Sequence, residues 1–496
     1  MAAAPVFNNS YAKLPAQFHH RQQADSVPAP ALIRLNETLA TELGLDSAWL
    51  QSADGIAMLS GNALPESADP IATVYAGYQF GSWNPQLGDG RALLIGEVIG
   101  ANGARYDVQL KGSGRTPYSR GGDGKSPLGP VLREYLISEA MAALNIPTSR
   151  ALAAVSTGET VYRDSALPGA ILTRVASSHI RVGTVQFFAA KQDSEALRLL
   201  SEHVIERHYP EAANSDNPIL AMLEGIIQRQ AELIAHWQGV GFIHGVMNTD
   251  NMLLCGETVD YGPCAFMDSY DPATVFSSID HGGRYAYGNQ PSIAHWNLAG
   301  LAQALLPLLA DDQDKAVELA QTAVNGFPAR FISAYQNTLA RKLGLSEYRG
   351  NVGDCDDDAL VKDLLELMAQ EKQDFTLCFL RLTELATPLS DRRGLPVPEL
   401  PGSFSEWLTR WEQRRADDAL SEPESVAMMR AANPVFIPRN HRVEQAIESA
   451  VNHNDVSGFH QLMDVLAKPC DFREEFADFL MPPGNNDKVF QTFCGT

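Results

Sequence analysis

The 496-residue chain has no uninterrupted apolar run of about 18 residues, so no membrane-spanning helix is expected. Its first nine residues carry neither a basic stretch nor an apolar one, and no secretory signal is expected. The six cysteines, Cys255, Cys264, Cys355, Cys378, Cys470 and Cys494, form neither close-spaced zinc pairs nor a disulfide framework, and Cys-x-x-Cys is absent. A reducing cytoplasm is therefore the expected setting. Positive charge is scarce. Lys and Arg number 38 against 60 Asp and Glu, a net charge of −22, which argues against general nucleic-acid binding. No internal repeat or low-complexity tract is present. The Walker A pattern is excluded too, because Gly121 stands only three residues before Gly124 and Lys125.

Hydrophobic residues make up 45%, enough for a large core at this length, and the length suggests more than one structural unit. Apolar-rich runs at 91–98 and 105–111 flank Ala101-Asn102-Gly103, which predicts a β-hairpin. Leu128, Leu132, Tyr135, Leu136 and Met141 recur at helical spacing, with Pro127 and Pro130 near the start. Strands are expected at 159–163 and 169–175, and a helix at 31–43. Beyond about 176 the chain reads as helical, over 195–206, 217–237, 296–308, 312–324, 328–342, 358–371, 404–415 and 441–452. Residues 387–403, rich in Pro and Gly, read as a surface loop. A small sheet with one helix, followed by a helical half, predicts an α+β fold of two lobes.

The acidity is uneven. From Arg91 to Arg133 seven basic residues face three acids, so this Gly-rich stretch suits a bound anion such as a polyphosphate. Downstream, His244-Gly-Val-Met-Asn-Thr-Asp-Asn251 is followed by Asp260-Tyr261-Gly262. This is the layout of a protein-kinase catalytic loop and metal-binding triplet, with Asn251 seven residues after His244. The position of the kinase base holds Val246, which cannot accept a proton. The kinase layout divides the chain into an N-terminal extension (1–75), a small β-rich lobe (76–176), a helical lobe (177–430) and a C-terminal extension carrying Cys494 (431–496).

Asn251 and Asp260 are hard oxygen ligands suited to Mg²⁺ or Mn²⁺ bridged to phosphates. Asp250 is a spare carboxylate beside them. It either activates an acceptor or caps a turn. Lys111 closes a strand, and Glu134 on the next helix would orient it, in preference to Glu139. Otherwise the two are a surface ion pair. Gly88-Asp89-Gly90-Arg91 precedes the hairpin, where glycines let backbone approach phosphates. The loop Gly121-Gly-Asp123-Gly124-Lys125 reads as a lid or as a plain loop. Arg174 and Arg181, near the lobe junction, could hold phosphates bidentately or be ordinary ion pairs. His244 reads as structural.

Together these residues resemble the selenoprotein O family. The resemblance rests on Gln79-Phe-Gly, Pro85 to Ala92, Leu110 to Arg120, Gly122-Asp-Gly124, the run at 244–252, Asp260-Tyr-Gly262 and Phe436-Ile-Pro-Arg-Asn-His441. It implies a kinase-like fold that binds ATP in a flipped orientation. The implied reaction moves AMP, not phosphate, to Ser, Thr or Tyr hydroxyls of other proteins. By the same resemblance Lys111, Arg174, Arg181, Gly88, Gly90, Arg91, Asp123 and Gly124 would hold the phosphate tail, with Glu134 orienting Lys111. Asn251 and Asp260 would bind metal, and Asp250 would accept the proton. The alternatives are an atypical protein kinase and an ATP-binding pseudokinase scaffold. Tyr78 and Lys125 depart from the commonest family residues, His and Arg. The family also implies a regulatory disulfide from the tail to the catalytic lobe, which would involve Cys494. Its partner is not identified by the sequence, and Cys264 is a guess.

Overall fold

Strands fill the first third of the chain and helices most of the rest. The computed structural model describes residues 3–352 and 355–492. In chain order the early strands are β1 (His19–Arg21), β2 (Ala31–Leu35), β3 (Ile71–Thr73), β4 (Gly77–Gln79), β5 (Ser82–Asn84), β6 (Ala92–Ile99), β7 (Arg105–Lys111), β8 (Ser126–Pro127), β9 (Arg150–Tyr162) and β10 (Ala166–Ala176). An antiparallel sheet runs β1-β3-β6-β7-β10-β9-β2, with β8 against β10. β4 and β5 form a separate hairpin.

The hairpin expected around Asn102-Gly103 is β6–β7, in register from Ala92↔Lys111 to Ile99↔Arg105. The two strands expected downstream are present and longer, as β9 and β10. The helix expected at 31–43 is corrected. Ala31–Leu35 is strand β2, paired along β9, and only Glu37–Glu42 is helical (α1). The edge of β9 supplies backbone partners that outweigh local helical spacing, and Asn36 then caps α1 by accepting from Leu39 N at 3.0 Å. β1, β2 and β3 all come from the first 75 residues, so this segment is hydrogen-bonded into the sheet at both edges.

The two faces of the sheet are covered differently. Ile95, Val98, Val108, Leu110, Ile171 and Val175 pack with α1, α2 (Ser47–Leu50) and α3 (Ala53–Leu59). Leu94 and Leu172, on the other face, join α4 (Leu128–Ala143) and the main helical core. That core contains α5 (Val182–Ala190), α6 (Ser194–His208), α7 (Pro218–Gly239), α8 (Gln290–Leu309) and α9 (Gln313–Asn325). A second core gathers residues of α10 (Phe327–Leu343), α11 (Asp357–Gln370), α12 (Phe375–Ala386), α13 (Ser405–Ala416) and α14 (Glu422–Ala432). α15 (Asn440–His453) and α16 (Ser457–Leu466) return to pack on α4. The expected helices of the second half all form, and residues 387–403 are a loop with two short helical turns. Among the described residues no helix is long and apolar enough to cross a membrane.

Candidate functional site

A cleft of about 1030 Å³ lies between the sheet and the helical part. Its walls include Gly88, Gly90, Arg91, Lys111, Asp123, Gly124, Glu134, Arg174, Arg181, Asp250, Asn251 and Asp260, every residue that the sequence singled out for the site.

The floor is built by the period-two geometry of strands. Gln109 and Lys111 on β7, and Leu172 and Arg174 on β10, share the face that looks at α4. Glu134 rises from α4 between them. Its Oε2 accepts from Lys111 Nζ at 2.6 Å and its Oε1 from Arg174 Nε at 2.7 Å. Glu139, the competing candidate, is turned away and engaged by Arg150 at 2.8 Å. Asp260 closes the network. Its Oδ1 meets Lys111 Nζ at 2.8 Å and Arg174 Nη2 at 2.6 Å, and its Oδ2 meets Arg181 Nη1 at 2.7 Å. Arg181, at the start of α5, lies 4.8 Å over the Tyr75 ring and also donates to the Asp250 carbonyl. Burial works against charge on Asp260, but Arg174, Lys111 and Arg181 outweigh it and hold the carboxyl well below its ordinary range. Asp260 has φ +63°, a left-handed conformation uncommon outside glycine.

The motif loop hangs between β11 (Phe242–Ile243) and β12 (Ala265–Phe266), an antiparallel pair that brings its two ends together. His244 is buried inside the loop. Its Nε2 bonds the Val259 carbonyl at 2.9 Å, consistent with a structural role. Val246 reaches the cleft with no side-chain acceptor to offer, and its carbonyl accepts from Asn251 Nδ2 at 3.1 Å. A helical turn at Thr249–Asn251 presents Asp250. Asp250 Oδ2 accepts from Gln79 Nε2 at 3.0 Å, whereas Oδ1 is buried without a partner. Burial pushes this carboxyl up to about 6, against the lowering effects of Gln79 and Arg181.

The glycine loop is tightly enclosed. Gly88 has φ +136°, and a Cβ there would fall 2.5 Å from the Tyr118 ring. Asp89 between the glycines is buried and accepts from Thr73 N at 2.9 Å and Thr73 Oγ1 at 2.6 Å, which fixes the loop beside β3. In the second loop, a Cβ on Gly124 would lie 1.9 Å from the Gly114 carbonyl. Asp123 is held by both terminal nitrogens of Arg163 at 2.9 Å.

Gln79, Tyr75, Asp89 and Arg163 were not assigned roles from sequence. Gln79 and Asp89 lay within runs that carried the resemblance, which was the available signal. Tyr78, a departure from the usual family residue, stands on the hairpin that holds Asp250, and its backbone N donates to Thr249 Oγ1 at 2.8 Å. At the other end of the chain, Thr492 Oγ1 donates to the Pro263 carbonyl at 2.7 Å and Thr492 N to the Phe276 carbonyl at 2.8 Å. The tail thus packs on the segment that follows Asp260. Cys494 lies outside the described residues, and Cys264 is buried.

Comparison with known proteins places this geometry in context. The family model described as protein adenylyltransferase SelO matches residues 3–467. A protein nucleotidyltransferase YdiU of Methylorubrum populi is 56% identical over 506 aligned residues, covering 100% of both chains. A protein of the same name from Rhodopseudomonas palustris is 57% identical over 493, covering 99% of each. One from a Bradyrhizobium species is 56% identical over 491, again covering 99% of each.

Proposed function

The chain belongs to the SelO family and is a nucleotidyltransferase, and from that membership we propose that it transfers AMP from ATP to Ser, Thr or Tyr hydroxyls of proteins, with ATP bound in the reverse of the kinase orientation. The observation that carries the reading is the convergence of Lys111, Arg174 and Arg181 on Asp260 at the cleft floor. A kinase-like arrangement, with 76–176 as the small lobe, 177–430 as the helical lobe and extensions at 1–75 and 431–496, would put an adenine ring at this depth. A buried guanidinium is poor company for an uncharged base and good company for phosphate. The phosphate tail therefore lies deepest, and the α-phosphorus faces Asp250.

In this reading the acceptor hydroxyl gives its proton to Asp250, whose raised pKa, about 6, suits a general base. The acceptor oxygen bonds to the α-phosphorus as the bond from that phosphorus to the bridging oxygen breaks. Pyrophosphate leaves with the bonding electrons, and Lys111, Arg174 and Arg181 stabilise its charge. Glu134 keeps Lys111 and Arg174 in place. Gly88, Gly90, Arg91, Asp123 and Gly124 line the remaining wall around the nucleotide.

Asn251 and Asp260 would hold Mg²⁺ or Mn²⁺. Asn251 Oδ1 and Asp260 Oδ2 both face one cationic nitrogen, Arg181 Nη1, at 3.5 and 2.7 Å, so the two hard oxygens already converge on positive charge. A bound divalent cation there would neutralise charge on the phosphate oxygens.

The test is two parallel incubations with ATP labelled at the α- or the γ-phosphate and a protein acceptor. Label arriving only from the α position supports AMP transfer. Label arriving only from the γ position would replace it with phosphotransfer.

A further inference from the structure

One cluster beside Asp250 has no part in the scheme above. The β4–β5 hairpin carries Tyr78 and Trp83, whose rings lie 4.9 Å apart, and Tyr78 stands 5.2 Å from Trp296 of α8. Trp83 and Trp296 are 38% and 40% exposed, in a chain that otherwise buries its tryptophans or nearly so. Arg284 stacks 4.9 Å over the Trp296 ring. It makes no ion pair among the described residues, and its Nε is buried without a partner. Its guanidinium also lies 5.7 Å from the Tyr285 ring, so aromatic faces surround it and its charge is left to an incoming anion. Exposed aromatics beside an arginine are the composition of a binding surface.

The hairpin is also rigidly joined to the chemistry. Besides the bond from Tyr78 N to Thr249, Phe80 N donates to Asn248 Oδ1 at 3.0 Å. Phe80 pays for this position with φ +50°. Gln79 holds Asp250 Oδ2, which leaves Oδ1 alone. Gly77 packs tightly on Asp250, because a Cβ there would sit 2.7 Å from that oxygen.

Resting on the transfer reading, we propose that the β4–β5 hairpin, Trp296 and Arg284 form the docking surface for the acceptor segment of the protein substrate. The occupant is an extended segment with an apolar side chain over Trp83 and Trp296, a carboxylate on Arg284 and its hydroxyl at the Asp250 carboxylate. Gln79 is a positioning residue that fixes this carboxylate.

The probes are a short peptide with one serine flanked by leucine and glutamate, and its counterpart with lysine for glutamate. With α-labelled ATP, the wild-type chain should show a KM about tenfold lower for the glutamate peptide. Trp83→Ala with Trp296→Ala should raise that KM about tenfold and leave the KM for ATP in place. Arg284→Glu should reverse the preference between the peptides. Equal KM values for the two peptides in the wild type, or a KM rise for ATP in place of peptide in the double variant, would overturn the docking surface and leave AMP transfer standing. Failure of the wild type to label any acceptor would remove the transfer reading, and the docking surface with it.

Discussion

Two regions of this molecule bury positive charge in opposite ways. At the cleft floor Arg174, only 1% exposed, is enclosed by Glu134 and Asp260. Burial opposes its charge, but the two carboxylates outweigh burial and raise its pKa. In α10, Lys342 is 2% exposed against the Phe379 ring at 4.2 Å and the Phe375 ring at 5.6 Å, with no ion pair among the described residues. The Cys470 and Cys378 thiols lie near it, and burial drops its pKa from 10.5 to about 7. The first arrangement keeps its charge, and in the proposed reading that charge is there for a phosphate. The second holds its proton less tightly once folded and serves packing. A buried cation therefore points to a ligand only when its neighbours keep it charged.

Removing the centre of the floor should have the largest effect. Asp260→Ala should lower AMP transfer by at least ~10³-fold, measured with α-labelled ATP, because it removes the proposed metal ligand and the group that gathers three cations. Glu134→Gln leaves Arg174 and Lys111 short of a buried counter-charge and should cost about 3 kcal/mol of stability by chemical denaturation. Asp250→Asn should slow transfer roughly 10²-fold while nucleotide binding, followed by calorimetry, persists. Per pH unit, the smallest effect belongs to Lys342. Between about pH 7 and 10.5 the unfolded lysine holds a proton that the folded one has released, so stability rises with pH across that window and the contribution is lost as pH falls to 7. Lys342→Met should remove up to about 1.4 kcal/mol per pH unit from that slope, read from denaturation curves at several pH values. A slope unchanged by the substitution would break the contrast between the two regions.

The same contrast marks what the sequence could and could not reveal. Lys111 and Glu134 were legible because a strand end and a helix start lie 23 residues apart within strong local patterns. Asp250, Asn251 and Asp260 were legible as one spaced motif. The sharing of Asp260 by Arg174 and Arg181 was not, since it depends on strand register and on the residue that caps the N-terminus of α5. That helix is almost wholly buried, so it lacks the polar face that would have announced it. β2 was mistaken for helix because its pairing with β9 is a long-range event that leaves no mark in local spacing. Tyr78 drew notice only as a departure, and its place next to Asp250 required the fold.

The strand order has one more consequence. β1 and β2, both from the first 35 residues, are the two outermost strands, one three residues long and the other five. Behind β2 lies β9, with 13 residues of backbone. The opening segment thus works as a pair of edge guards. It covers residues 153–156 of a long strand, backbone that would otherwise offer free amides and carbonyls to any passing chain.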